Sequence, residues 1–357
     1  MTKVHNFSAG PGILPQEVLK QAAEACINFD HLNLSLLEIS HRSKSFEAVM
    51  SKSRQLVKDL LHLDDDFEML FLGGGASLQF AMVPYNLLRS DGKAGYVNTG
   101  VWASKAIKEA KIIGNTAVIA SSEESKFTFI PKGYEIPEDL DYLHITSNNT
   151  IYGTQMSAFP KTAVPLVCDM SSDIFSREVN GNDFALIYAG AQKNMGPAGS
   201  TMVAVRKSVL GKTGRKMLSM LDYQVHIKGE SMYNTPPVFP IYVSMLTMEW
   251  IKNNGGVSHI EKLNNEKAAL LYAEIDRNSL FKGTTAVEDR SKMNVTFVMH
   301  NPALEPAFDQ LAKEANLSGL RGHRDVGGYR ASLYNALPIE SVKVLVEVMQ
   351  HFEKKQA

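Results

Sequence analysis

The stretch ALIYAGAQKNMGPAGS, which runs from Ala185 to Ser200, joins an apolar segment to a lysine enclosed by glycine and proline. The apolar half has the composition of a buried strand, and the residues after Lys193 are typical of a turn. Most lysines keep their charged end in water, so the ordinary interpretation of Lys193 is a loop lysine whose ammonium lies in solvent. A lysine that directly follows a buried strand instead indicates an amine at the edge of a sheet.

Similar apolar runs, separated by helical segments, fill the first two thirds of the chain. Helical spacing occurs in residues 16–29 and in residues 45–61, where Ser43 is a candidate N-cap. Strands are predicted at residues 68–72, 94–98, 116–120, 142–146, 164–168, 184–188 and 202–206. Most of them are apolar on both faces, as in a sheet covered by helices on both sides. The sequence therefore predicts an α/β fold with a large, doubly wound, mostly parallel sheet.

The chain changes character after the last of these strands. Residues 207–240 are polar and irregular, and residues 241–278 have helical composition with a break at NNGG. Further elements at 293–299, 308–315, 329–335 and 339–354 indicate a small α+β domain. We therefore predict a large domain of residues 16–261 and a small domain formed by residues 1–15 and 262–357.

Composition narrows the class of protein. The 357 residues are 44% hydrophobic and 21% charged with a formal net charge of -1, which gives no reason to expect nucleic acid or a membrane surface as partner. No apolar run approaches the roughly 18 residues of a membrane span, and the start of the sequence lacks a secretory apolar region. Cys26 and Cys168 fit neither a disulfide framework nor a zinc site. We therefore expect a cytoplasmic protein without a metal.

The segment FLGGGASLQF, residues 71–80, places three glycines between a strand and a helix. Backbone N–H groups at such a helix N-terminus bind phosphate, and Ser77 adds a hydroxyl donor. The segment has neither the lysine of a Walker A motif nor the G-x-G-x-x-G spacing of a dinucleotide site. A plain strand-to-helix turn explains the pattern equally well.

Asp169 and Lys193 each follow a predicted strand. A carboxylate at the end of an apolar strand needs a cationic partner, or it lies at the carboxyl edge where α/β sheets bind ligands. Capping of a helix or turn is the alternative, and it suits Asp173 better. A lysine in a dry site has a lowered pKa and attacks carbonyl carbons as the free amine. Because both residues follow strands of one sheet, we expect them in one cleft.

Aromatic and cationic side chains supply further candidates. Trp102 follows another predicted strand and is either a core aromatic or a plate that stacks on a flat ring. Guanidinium groups form paired hydrogen bonds with phosphate and carboxylate. Each short His-Arg motif, taken alone, is also explained as solvated charge on the protein surface. The motifs SHRS and GHRDVGGYR contain the candidates His41, Arg42, His323, Arg324 and Arg330.

Together these features fit one ligand. Pyridoxal phosphate has a phosphate for the glycine-rich cradle and a ring nitrogen for the strand-end aspartate. Its flat ring suits a stacking tryptophan, and its aldehyde suits a lysine. The chain also resembles the phosphoserine aminotransferases, pyridoxal-phosphate enzymes of the class-V aminotransferase family with the aspartate aminotransferase-like fold, fold type I. The motifs that carry this resemblance span essentially the whole chain and are NFSAGPGILP, SHRSKSFEAV, FLGGGASLQF, NNTIYGTQ, DMSSDIFSR, GAQKNMGPAG, YNTPP and GHRDVGGYRASLYNA.

The resemblance implies a role for each matching residue. Lys193 would carry one pyridoxal 5'-phosphate per subunit as a Schiff base, and Asp169 would pair with the ring nitrogen. The other implied cofactor-binding residues are Ala76, Ser77, Trp102, Thr150, Gln192, Asn234 and Thr235, the last two from the neighbouring subunit of a homodimer. The implied substrate-binding residues are His41, Arg42, His323 and Arg324 for a phosphate and Arg330 for a carboxylate. Some relatives have an arginine in place of Ser77, so the phosphate contacts differ in detail.

The implied reaction is amino transfer between L-glutamate and 3-phosphonooxypyruvate, which gives O-phospho-L-serine and 2-oxoglutarate in serine biosynthesis. Related enzymes also act on the phosphorylated 2-oxo acid of pyridoxine biosynthesis. We therefore expect small-molecule substrates and an active site at the interface of a homodimer.

Three other classes of protein fit less well. A cysteine desulfurase of the same fold needs a mobile cysteine, but Cys168 abuts Asp169 and Cys26 lies in an early helix. A nicotinamide-dependent dehydrogenase needs the absent G-x-G-x-x-G motif. A non-catalytic phosphate-binding protein would not need two His-Arg pairs and Arg330.

Overall fold

A computed structural model describes residues 3–356 of the chain. The strands are β1 (His5–Asn6), β2 (Phe67–Leu72), β3 (Ala94–Asn98), β4 (Thr116–Ser121), β5 (Tyr142–Thr146), β6 (Asn148–Asn149), β7 (Thr154–Gln155), β8 (Leu166–Asp169), β9 (Leu186–Gly190), β10 (Thr201–Arg206), β11 (Phe281–Gly283), β12 (Asn294–Met299), β13 (Leu317–Ser318) and β14 (Tyr329–Ser332). The α-helices are α1 (Gln16–Ala25), α2 (Lys44–Leu60), α3 (Gly75–Leu87), α4 (Val101–Ile113), α5 (Tyr223–Lys228), α6 (Val238–Asn253), α7 (Gly256–Arg277), α8 (Glu305–Glu314) and α9 (Ile339–Gln356). Within residues 3–356, no helix is both long and apolar enough to cross a lipid bilayer.

Seven strands form one sheet in the order β2-β10-β9-β8-β5-β3-β4. Strands β9, β8, β5, β3 and β4 pair in parallel, and β10 runs antiparallel between β2 and β9. Successive residues of β9 pack into different hydrophobic clusters, Leu186 and Tyr188 into one and Ile187 into the other. The sheet therefore has a core on each face, and the predicted α/β fold with a mostly parallel sheet is confirmed.

Strand register brings the candidate segments to one edge of this sheet. Leu72 at the end of β2 and Gly190 at the end of β9 both pair with Thr201. Asp169 at the end of β8 pairs with Thr146 on one side and Tyr188 on the other. The turns that leave β2, β3, β8 and β9 therefore all start at the carboxyl edge, where ligands bind in α/β folds.

Some predicted elements differ in their bounds. The helix predicted for residues 16–29 ends at Ala25, and the segment 207–240 contains the short helix α5. The Asp222 side chain caps α5 by accepting a hydrogen bond from the Gln224 N–H at 2.8 Å. Two predictions are confirmed: Ser43 caps α2 by accepting from the Phe46 N–H at 3.3 Å, and the long helix is broken between α6 and α7.

A separate hydrophobic cluster lies in the last quarter of the chain. It joins α7, α8, α9 and the sheet β11-β12-β14, and it includes Phe7 from the N-terminal arm. Pairing of His5 with Leu317 ties that arm to the same part of the molecule. This packing supports the proposed division into residues 16–261 and residues 1–15 with 262–357. Helix α7 crosses the proposed boundary, since its start packs in the large cluster and its later turns in the small one.

A buried lysine fastens α7 to the segment after β14. Lys267 is 1% exposed, and its Nζ donates to the carbonyl oxygens of Leu333 at 2.9 Å and Tyr334 at 2.8 Å. Burial lowers the pKa of Lys267 to about 7. A neutral amine carries two N–H donors, which is the number that the two carbonyls accept.

We predict that this amine makes stability depend on pH. Between pH 7 and the unfolded value near 10.5, the unfolded chain holds a proton that the folded chain releases, so stability rises with pH. Lys267→Met removes the titrating amine. We expect the free energy of unfolding of the wild type, relative to Lys267→Met, to rise by about 2 kcal/mol from pH 7 to pH 9 in urea titrations.

Lys262, exposed on the same helix, gives the matched control. Lys262→Met should follow the wild type at every pH. Parallel curves for Lys267→Met and the wild type would show that the buried amine does not change its protonation on folding.

Candidate active site

A cavity of about 450 Å³ opens at the carboxyl edge of the large sheet. Its walls come from the N-terminal arm, the start of α4, the turn at Thr150, the turn after β9 and the loop before β14. The cavity brings together seven of the predicted site residues, which are Trp102, Thr150, Gln192, Lys193, His323, Arg324 and Arg330.

The Lys193 amine lies inside this cavity. Its Nζ donates to Thr150 Oγ1 at 2.7 Å and lies 5.1 Å from the centroid of the Trp102 ring. Burial lowers the pKa of Lys193, the Asp169 and Asp173 carboxylates oppose the shift, and Arg330 adds to it, which leaves a pKa of about 8. About a tenth of the amine is therefore an unprotonated nucleophile at pH 7, a far larger share than for an ordinary lysine.

Asp169 lies at the end of β8 and is 5% exposed. Its Oδ1 accepts from the Ser171 N–H at 2.9 Å, and Ser171 is the residue whose groups hydrogen-bond the carboxylate. Burial raises the pKa of Asp169, while Ser171 and Lys193 act in the opposite direction. A buried carboxylate with so few donors has room for a cationic partner.

The sequence predicted that Asp173 caps a helix or turn, but its side chain does not do so. Its carboxylate is buried, accepts from the hydroxyl of Ser147 and from Gln155 Nε2 at 3.1 Å, and lies 3.6 Å from Arg177 Nη2. These donors satisfy the charge inside the protein.

The N-terminal arm closes against the lysine turn. The Gly12 N–H donates to the Gln192 carbonyl at 2.7 Å, and the Tyr334 hydroxyl donates to the Ala9 carbonyl at 2.6 Å. A Cβ atom at Gly12 would collide with the Lys193 carbonyl and the Tyr334 ring, so only glycine permits this close approach. The arm therefore forms a wall of the cavity.

Ala76 and Ser77 lie in the first turn of α3, outside the lining of this cavity. Gly74 precedes the helix with a φ of 86°, a left-handed conformation that favours glycine. Within the described part of the chain, the N–H groups of Gly75, Ala76 and Ser77 have no hydrogen-bond partner, and the first turn carries no acidic residue. Such a turn attracts an anion.

Cationic side chains surround the cavity mouth. Arg330 on β14 donates from Nη1 to the Thr150 carbonyl at 3.2 Å, its Nε has no partner among the described residues, and burial lowers its pKa. His323 Nδ1 lies 3.4 Å and Arg324 Nε 3.7 Å from the Asp325 carboxylate. The Arg324 side chain is 91% exposed. These groups face the space above Lys193.

The remaining predicted residues lie elsewhere in the single chain. His41 and Arg42 lie in a turn before α2, and Arg42 is exposed. Asn234 lines a separate cavity of about 240 Å³ together with Gly73 and Gly74, and Thr235 is exposed. Among residues 3–356, neither pair contributes to the lining of the Lys193 cavity.

Two charged residues of the cavity wall, Lys105 and Asp325, were not among the site residues predicted from the sequence. Lys105 lies one helical turn after Trp102, and its Nζ is 4.8 Å from the centroid of that ring. The spacing of Trp102 and Lys105 in a helix that begins at the carboxyl edge was the available signal. Asp325 lies inside the motif GHRDVGGYR, between Arg324 and Arg330, and no sequence pattern marked it as a residue of the site.

Comparison with known proteins agrees with this architecture. The family model of Aminotransferase class-V matches residues 4–345. The chain belongs to the class-V aminotransferase family. It is 63% identical over 354 residues to the phosphoserine aminotransferase of Flavobacterium psychrophilum, a match that covers 99% of each chain.

Solved structures give the same result for this class-V aminotransferase. The phosphoserine aminotransferase from Bacillus circulans subsp. alkalophilus matches with a TM-score of 0.96 and 44% identity, covering 99% of each chain. The PLP-bound phosphoserine aminotransferase from Trichomonas vaginalis matches with a TM-score of 0.92 and 34% identity, covering 98% of this chain and 100% of that chain. The fold and the resemblance recognised in the sequence are confirmed, and the protein is an aminotransferase.

We predict that Lys193 reacts with amine reagents at an unusually low pH after any bound aldehyde has been removed with hydroxylamine. Because burial lowers its pKa to about 8, half-maximal labelling by an amine-reactive reagent should occur near that pH. Mass spectrometry of labelled peptides over a pH series measures this midpoint. Lys108, exposed on α4, is the internal reference for the extent of labelling. A midpoint for Lys193 near the ordinary lysine value of 10.5 would contradict the lowered pKa.

Proposed function

We propose that this class-V aminotransferase is a phosphoserine aminotransferase. It would transfer the amino group between L-glutamate and 3-phosphonooxypyruvate to give O-phospho-L-serine and 2-oxoglutarate, as in serine biosynthesis. The observation that carries the proposal is the meeting, in one cavity, of a lysine with a lowered pKa, the guanidinium groups of Arg324 and Arg330, and the His323 imidazole. Relatives that bear this name over the whole length of the chain support it.

The residues present fit pyridoxal 5'-phosphate. The sparsely partnered Asp169 carboxylate suits a protonated ring nitrogen, and the free N–H groups of Ala76 and Ser77 suit a phosphate. Lys193 would bind the aldehyde carbon, and Trp102 would stack on the ring. The cofactor supplies an electron sink for the negative charge that forms on the substrate Cα. Thr150 and Gln192 would flank it.

Lys193 has the properties of the base in this reaction. Its Nζ, once free, would remove the proton from the substrate Cα and deliver it to the carbon that was the cofactor's aldehyde carbon. Thr150 Oγ1 orients the amine, and the buried Asp169 carboxylate would favour a protonated ring nitrogen in a bound cofactor. Arg330 would bind the substrate carboxylate, with one N–H already fixed on the Thr150 carbonyl.

A single subunit lacks part of this site. His41, Arg42, Asn234 and Thr235 lie outside the Lys193 cavity, and we propose that they reach the active site of the neighbouring subunit in a homodimer. An apolar surface just before His41 supports a contact between copies, since its exposed members are Ile27, Leu32, Leu34 and Leu37. In that arrangement His41 and Arg42 would join His323 and Arg324 at the substrate phosphate.

The proposal includes a cytoplasmic location and activity on the phosphorylated 2-oxo acid of pyridoxine biosynthesis. The unpaired state of Cys26 and Cys168 supports the location. A cysteine desulfurase remains unsupported, because Cys168 is fully buried and burial raises the pKa of its thiol.

Visible absorption of the purified protein tests the proposal. We expect a band from the lysine-linked cofactor that O-phosphoserine bleaches, whereas alanine and cysteine leave it unchanged. Lys193→Ala should lose this band and turnover together. A band that responds to cysteine or alanine would keep the aminotransferase assignment and overturn the phosphoserine assignment.

Subunit mixing tests the shared site. Lys193→Ala and Arg42→Ala homodimers should each have little activity, but each hybrid dimer would contain one intact site. After unfolding and refolding of an equal mixture, random assortment should restore about a quarter of wild-type activity. No recovery, despite hybrid dimers detected by mass spectrometry, would mean that Arg42 acts within its own subunit.

A further inference from the structure

We propose that Lys105 is an additional substrate-binding residue, which favours a phosphorylated substrate by attracting its anionic group to the cavity. The inference rests on the proposed phosphoserine aminotransferase function and deepens it. Lys105 is exposed on α4, lines the Lys193 cavity, and holds its Nζ 4.8 Å from the centroid of the Trp102 ring. The ammonium is thus beside the aromatic ring that faces Lys193.

The Lys105 charge is not neutralised by the protein. Within residues 3–356 its ammonium forms no salt bridge, including with Glu109 one helical turn further along α4. Asp325 is the acidic residue of the cavity wall, and its carboxylate already lies near His323 and Arg324. Lys105 therefore adds positive charge that a ligand can use.

The other positively charged groups of the cavity do not by themselves balance the charge of a substrate phosphate. Arg330 is committed to the Thr150 carbonyl and suits a carboxylate, and Lys193 is the reacting amine. The negative charge of Asp325 partly offsets the electrostatic potential of the nearby His323 and Arg324 side chains. A phosphate carries nearly two negative charges at neutral pH, so a further unpaired cation at the wall improves the charge balance.

The chemistry of lysine defines the kind of effect. An exposed ammonium on a flexible stem acts as a point charge and does not fix the geometry of the reacting atoms. Such a group attracts the substrate equally before and during the reaction, which changes KM and leaves kcat unaltered. The attraction is also weakened by salt.

The test compares Lys105→Gln with Lys108→Gln in the holoenzyme. Lys108 is exposed on the same helix but does not line the cavity, so its replacement controls for the loss of one surface charge. We expect Lys105→Gln to raise KM for O-phosphoserine about three- to tenfold at low salt, with kcat unchanged, and the difference to shrink at high salt. Lys105→Glu should have a larger effect in the same direction.

Binding of inorganic phosphate, measured by calorimetry with the holoenzyme, gives a readout independent of turnover. Lys105→Gln should weaken it, and Lys108→Gln should not. Unchanged KM and phosphate affinity in Lys105→Gln, or equal effects of the two variants, would overturn the inference. A fall in kcat alone would also overturn it, because Lys105 would then act on the Trp102 ring and not on the anion.

Failure of the proposed function has a different signature. If the wild type does not turn over O-phosphoserine, that function fails before any variant is compared. If the wild type turns it over and Lys105→Gln behaves identically, only the inference about Lys105 fails.

Discussion

The Lys193 amine must be dry enough to lose its proton and open enough to meet a substrate, and much of the structure serves this constraint. Water would restore the ordinary pKa of the amine, whereas complete burial would block access. The turn after β9 meets both needs because it leaves a buried strand at the carboxyl edge of the sheet. The adjacent Asn194 fixes it, donating to the Ile174 carbonyl at 2.7 Å and accepting from the Asn335 N–H at 2.9 Å. Contacts to Ile174, in the large-sheet part of the chain, and to Asn335, in the C-terminal part, therefore hold the lysine in place.

Two neighbouring buried aspartates show how the fold separates structural from functional charge. Asp173 is neutralised by a cluster of Ser147, Gln155 and Arg177, which lies inside the protein. Asp169 is hydrogen-bonded by Ser171 and lies at the carboxyl end of β8. An under-partnered carboxylate is unfavourable in the free protein, so a bound cation stabilises it. That difference in partners, and not burial itself, distinguishes the residue suited to a ligand.

Sequence patterns predicted the large sheet and the residues at its edge because both depend on local signals. Apolar runs bounded by glycine identify strands, and Asp169 and Lys193 follow such runs directly. The two-residue strands β1, β6, β7 and β13 have no periodicity to detect, and they form through contacts between distant segments. The same limit hid Asp325, whose position on the cavity wall depends on how α4 and the loop before β14 approach each other. Lys105, in contrast, follows Trp102 at a helical spacing that is a local signal. Local patterns likewise could not tell which candidate residues lie outside the cavity of their own chain.

The two proposed anion sites use different physics, and the difference fits their different ligands. At the start of α3 the donors are backbone N–H groups and the Ser77 hydroxyl, with no cation in the first turn. Such fixed dipoles match one geometry and suit a phosphate that stays bound. Around the cavity mouth the donors are Lys105, His323 and Arg324, which are charged or chargeable and reach solvent. Mobile cations draw a substrate in over a distance and release it again, as repeated turnover requires.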